Sequence, residues 1–112
     1  MKERSVRTYV LVGQTPVPEP DPLKWAVWLA TVDRVVFQTE VGASMVSTVF
    51  LGIDHNFFND GPPILFETLI FTDGDGGGEC YRCATWLEAE QQHKRIVTDL
   101  RTRLRASQSL LN

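Results

Sequence analysis

A chain of 112 residues that is 43% apolar and 22% charged has the make-up of one globular domain, large enough to bury a single core and too short for a second. Its apolar runs are far shorter than the ~20 residues that span a bilayer, which excludes a transmembrane helix. The formal charge of −3 divides unevenly: residues 91–112 carry five cations against Asp99, whereas residues 1–90 carry six cations against thirteen anions, an acidic body that disfavours nonspecific nucleic-acid binding.

The first residues, Met-Lys-Glu-Arg-Ser-Val-Arg, are charged and lack the apolar stretch and small-residue cleavage site of a secretory signal. A cytoplasmic location is the expectation, and in that reducing compartment Cys80 and Cys83 are expected as free thiols. Residues 6–12 are β-branched and aromatic enough for a first strand. Pro16, Pro18 and Pro20 remove ladder donors and exclude helix from residues 13–20, which read as an extended connector. Asp21-Pro22 is a helix start, Asp as N-cap and Pro at the first helical position. Trp25, Trp28, Leu29 and Val32 follow at i, i+3, i+4 and i+7, so an amphipathic helix is predicted to about Thr31.

Residues 34–41 switch to a strand pattern, and Gly42-Ala43-Ser44 turns the chain into the run from Met45, which makes a hairpin. In that third strand Val49, Leu51 and Ile53 share one face while Val46, Thr48 and Phe50 share the other, so an interior strand covered on at least part of each side is expected. Residues 54–60 concentrate polar and aromatic side chains in a connection that strand cannot accommodate. Pro62-Pro63 then opens a fourth strand over 64–71, Asp73 to Gly78 is a flexible turn, and residues 79–83 form a short fifth strand.

Thr85-Trp-Leu-Glu88 is a capping box opening the longest helix. Ala89, His93, Ile96, Val97, Leu100 and Leu104 form one stripe along it, which should lie across the sheet. Its cations, Arg95, Arg101 and Arg105 among them, read as a solvated face; contact with nucleic acid through them is the lesser alternative. The order β-α-β-β-β-β-α predicts an α+β fold, a mostly antiparallel four- or five-stranded sheet with two helices packed on it. Residues 1–112 form a single domain, with 1–5 and 106–112 as fraying ends.

Complete chemical motifs are missing. Asp54, His55 and Glu67 are the nearest approach to an acid–base set, a neighbouring-strand carboxylate orienting an imidazole, but nothing nearby resembles an activated nucleophile. A metal site built on Cys80 and Cys83 would need both His55 and His93 to reach four ligands, and residues three apart on a strand point to opposite faces. Asp73 to Gly78 lacks the lysine and following helix of a phosphate loop. No cofactor is implied. Phe57-Phe58 is more unusual: two consecutive aromatics in a polar loop cannot both enter one interior, which marks Asp54, His55, Asn56, Phe57, Phe58, Asn59 and Asp60 as a partner-binding loop.

Three blocks carry a resemblance: Ser47-Thr-Val-Phe-Leu-Gly-Ile-Asp-His-Asn-Phe57, Gly61-Pro-Pro-Ile-Leu-Phe-Glu-Thr68, and Ala84-Thr-Trp-Leu-Glu-Ala-Glu followed by His93. They resemble a small-protein family encoded by bacteriophages and prophages, whose usual Arg-Tyr pair is here Arg82-Cys83. The resemblance implies a genomic context. By analogy with small acidic phage proteins, it implies an accessory protein that binds host or phage proteins, itself included as a homodimer, and inhibits a host defence system in the manner of an anti-CRISPR. A small metal-dependent or acid–base enzyme using Asp54, His55 and Glu67 is the alternative.

Overall fold

The computed structural model describes residues 6–58, 60–73 and 78–111. Its elements are β1 (Tyr9–Val12), β2 (Thr15–Pro18), α1 (Pro22–Thr31), β3 (Val35–Val41), β4 (Ser44–Phe50), β5 (Phe66–Thr72), β6 (Cys80–Cys83) and α2 (Trp86–Leu111). This is the expected α+β class, with one difference in its first part. The stretch read as a connector contains β2, which pairs antiparallel with β1 as a separate two-stranded ribbon, while β3-β4-β5-β6 form an antiparallel meander. The prolines explain how. Pro16 and Pro18 alternate, so they take only positions on one side of β2, and the intervening residues keep their N–H groups for pairing. The Glu19 N–H continues this pattern by donating to the Thr8 carbonyl at 2.8 Å.

Both helix starts form as the local chemistry dictates. Asp21 Oδ1 accepts from the Leu23 and Lys24 N–H groups at 2.9 and 3.3 Å. Thr85 and Glu88 close a reciprocal box: the Thr85 N–H donates to Glu88 Oε1 at 3.1 Å and the Glu88 N–H to Thr85 Oγ1 at 3.2 Å.

α2 packs across all four strands of the meander. Val46, Thr48 and Phe50 of β4 turn towards it and are buried; Met45, Ser47 and Val49 turn the other way and stay half-exposed. The expected cover on at least part of each side is thus full towards α2 and partial on the other face. β4 is interior within the sheet, between β3 and β5, but no described helix or strand packs broadly on the second face. α1 rests instead against β1 and the end of β4, with Trp28 edge-on to Phe50 at 5.9 Å. Phe50, Phe66, Leu65, Tyr9 and Ala89 form the larger buried cluster; Val41, Val46 and Val97 form a second one further along α2.

Two boundaries differ from the sequence reading. The third strand ends at Phe50, not Ile53, because Gly52 adopts φ +78° and turns the chain out of the sheet. Pro62 and Pro63 precede β5 without joining it. α2 itself runs to Leu111, and residues 1–5 lie outside those described. Asp73 begins the glycine turn, whose residues 74–77 lie outside those described.

Gly52 joins three segments. Its carbonyl accepts from the Tyr9 N–H at 2.8 Å and from Trp25 Nε1 at 3.1 Å, tying the ribbon and α1 to the end of β4. A Cβ there would lie 3.1 Å from Leu29 Cδ1 on a backbone that side chains rarely adopt. Gly52→Ala is expected to cost about 1–2 kcal/mol from the left-handed backbone alone, and more if Leu29 cannot shift. A chemical-denaturation midpoint equal to that of the parent protein would contradict this.

Candidate functional site

The connection between β4 and β5 is the most organised irregular segment of the chain. Asp54 is fully buried. Its Oδ1 accepts the Asn56 N–H at 2.8 Å and the Ile64 N–H at 2.9 Å, joining the outgoing and returning limbs of the loop. Arg7, from before β1, donates to the carbonyls of Asp54 and Asn56 at 3.2 and 3.0 Å and stands 4.0 Å from Asp54 Oδ2. Asn56 is buried as well. Its Nδ2 donates to the carbonyls of Asp60 and Pro62, and its Oδ1 accepts the Phe58 N–H at 3.3 Å. A buried carboxylate and amide with this many partners hold a single loop conformation, because any other would strand desolvated polar atoms.

The consequence is an inverted loop, polar inside and aromatic outside. Phe57 is 67% exposed and Phe58 83%. Phe57 is steadied by the Arg7 guanidinium, 5.7 Å from its ring centre, and by the His55 ring at 5.8 Å. Of the seven residues marked from sequence, Asp54 and Asn56 are scaffold and His55 is half-buried. Phe57, Phe58 and Asp60 reach solvent, and Asn59 lies outside the described residues. Arg7 was missed, since nothing local in a strand-like run marks a partner 47 residues away.

The acid–base set is not assembled. His55 Nδ1 donates to the Ile53 carbonyl at 2.8 Å, and Asp54 is committed to the loop backbone. Glu67 accepts from Arg82 Nε at 2.8 Å on the open face of the sheet; no hydrogen bond joins it to His55.

The four-ligand metal site is likewise dispersed, and the described residues contain no group of three or more His, Cys, Asp or Glu that could hold an ion. Cys80 is exposed and Cys83 half-buried. Burial, and then the nearby Glu88, push the Cys83 thiol up to about 11, and burial followed by Glu67 raises Cys80 as well, so neither is an activated thiolate.

His93 has a structural place. Its Nε2 shares a hydrogen bond with Thr39 Oγ1 at 2.9 Å, its Nδ1 one with Thr48 Oγ1 at 2.8 Å, and Thr48 in turn bonds Thr68 at 2.7 Å. Desolvation in this seam lowers its pKa below the ordinary 6.5.

Compared with protein-family models, curated proteins and solved structures, the chain matches none. No described helix is long and apolar enough to cross a membrane.

Two outcomes test this geometry. Asp54→Ala leaves the Asn56 and Ile64 N–H groups without their acceptor and removes the carboxylate facing Arg7, and is expected to cost about 2–3 kcal/mol and to expose the loop to proteases; Asp54→Asn, which keeps an acceptor, costs less. A melt and digestion pattern like the parent's would show the carboxylate to be dispensable. For His93, the unfolded chain takes a proton near pH 6.5 that the native seam resists. Stability is thus unaffected above that pH, falls as pH drops through 6.5, and stops falling below the depressed native pKa. An imidazole titration by NMR with the His93 midpoint at or above 6.5 would overturn the assignment.

Proposed function

We propose that this chain is a phage or prophage accessory protein that acts without catalysis, by presenting Phe57 and Phe58 to a host protein and so inhibiting a host system such as a defence complex. The observation that carries the reading is the pair of adjacent exposed rings on a loop whose interior is fully committed. Single exposed apolar residues are ordinary on a protein surface. Two neighbouring aromatics at a fixed tip differ, because each offers ~150–250 Å² of contact area and little conformational entropy is lost when a pre-organised loop is covered.

The acid–base alternative has no observation in its favour, since its three residues serve separate structural partners. The sequence resemblance supports the host context, and the acidic body supports a protein target over nucleic acid.

Tagged protein retains its target from host extract; once that target is identified and purified, Phe57→Ala with Phe58→Ala is expected to weaken binding by about 30-fold or more, the effect of losing one hot spot of ~2 kcal/mol. The double variant should melt as the parent does, since both rings are already in solvent. Undiminished affinity would remove the loop from the binding surface.

A further inference from the structure

α2 is longer than the sheet it covers. Its stripe passes Ala89, His93, Val97 and Leu100, and Leu104 lies over the β3–β4 turn, with Cδ2 3.1 Å from where a Cβ on Gly42 would sit. Residues 101–110 are all exposed, with Leu110 88% so. At 1.5 Å per residue they form an arm about 15 Å long. The radius of gyration is 16.6 Å, against about 13 Å for a compact chain of this length. Past Leu104 the arm has little of the packing that ordinarily holds a helix, and so short a helical segment is marginal in water by itself. It carries Arg101, Arg103 and Arg105 and no acidic residue.

On the uncovered face, at the same end of the sheet, lies a depression of about 310 Å³. Met45 and Phe71, cross-strand partners, supply its apolar walls, and Glu40 and Asp73 its carboxylates. Both acids are exposed, and neither has a side-chain salt bridge among the described residues. A basic arm with an exposed leucine and an acidic groove with apolar walls thus occur on one chain, at one end, on opposite sides of one sheet. Within a single copy they cannot meet.

We propose that the occupant of this groove is the α2 arm of a second copy, in a reciprocal two-fold dimer. A two-fold axis in the plane of the sheet, beside the β3–β4 turn and perpendicular to the strands, turns the partner over. Each arm, on the helix side of its own sheet, then lies along the open face of the other. Arg101 and Arg105 approach Glu40 and Asp73, and Leu110 approaches Met45 and Phe71. Such a closed arrangement uses both arms and both grooves and leaves nothing to propagate. It lies at the end of the sheet opposite Phe57 and Phe58, and so is independent of the loop reading.

Sedimentation and light scattering over a concentration series test it. The parent chain should move from 12.7 kDa towards about twice that mass, with dissociation favoured by salt. Arg101→Glu with Arg105→Glu, and separately Glu40→Lys with Asp73→Lys, juxtapose like charges in both contacts, and each should weaken the dimer about 100-fold or more. All four positions are exposed, and circular dichroism should report an unchanged fold. Mixed in equal amounts, the two variants restore opposite charges at both contacts, and the dimer mass should return. A parent chain that stays monomeric throughout, a dimer indifferent to either reversal, or a mixture that remains monomeric would each overturn the proposal. Retention of target by the monomeric variants separates its failure from failure of the Phe57–Phe58 reading.

Discussion

The buried carboxylate of Asp54 is the constraint from which the rest of the working surface follows. A carboxyl group without solvent must find donors nearby, and Asp54 takes them from residue 56 on one limb and residue 64 on the other, with Arg7 closing the third side. The two limbs of the loop and a segment 47 residues away meet at one group. Asn56 repeats the device one turn further out, bonding three backbone groups of the same loop. The polar residues that make this stretch look like a wet surface are consumed in holding it, and the two phenylalanines are left facing water. A solvent-facing aromatic pair is ordinarily a destabilising exposure; here the polar bonds beneath it offset that cost.

What could be read from the sequence divides along the range of the interactions. Asp21-Pro22 and Thr85 with Glu88 announce helix starts because their bonds span two or three residues, and both form as expected. The stripe on α2 was legible for the same reason, through periodicity. β2 was not. Each proline taken singly argues against a strand, and only their alternation, set against a partner strand, makes them compatible with one. The strand pattern runs on past Gly52 to Ile53, yet the left-handed backbone of Gly52 ends the strand and gathers α1 and the ribbon onto one carbonyl. Val49 reads as at least partly covered because apolar side chains on two faces usually mean some cover on each. The pattern does not show that, among the described residues, no helix or strand packs broadly on that face. Most of the residues of the candidate loop were marked, but their roles were not, since burial of Asp54 and Asn56 depends on Arg7 and on residues 62 and 64.

The core has its own polar seam. Thr39, His93, Thr48 and Thr68 run from β3 through α2 and β4 to β5, between the aromatic cluster around Phe50 and the valine cluster around Val97. Apolar packing alone tolerates some sliding of a helix along a sheet; an imidazole with a hydroxyl on each nitrogen does not, because a shift by one turn would leave several buried polar atoms without partners. The seam therefore fixes how far α2 travels past the β3–β4 turn. The reach of the arm is thus determined inside the core, not at the end of the helix.

The two ends of the sheet consequently carry different surfaces, the aromatic tip at the β4–β5 connection and the basic arm with its acidic groove at the β3–β4 turn. Joining two copies at the turn places the two aromatic tips at the far ends of the assembly, pointing away from each other. Neither tip can then assist the other on a single compact target, because the separation exceeds what one small interface spans. The gain from two tips comes only when the target itself presents two sites at matching distance, as a symmetric oligomer or a repeating assembly does, and the second contact is then made at high effective concentration. A monomeric target would be bound with the affinity of one tip whether or not the chains are paired. On the proposed reading, dependence of binding strength on the arm, for a target of known symmetry, connects the packing of His93 in the core to the geometry of that target.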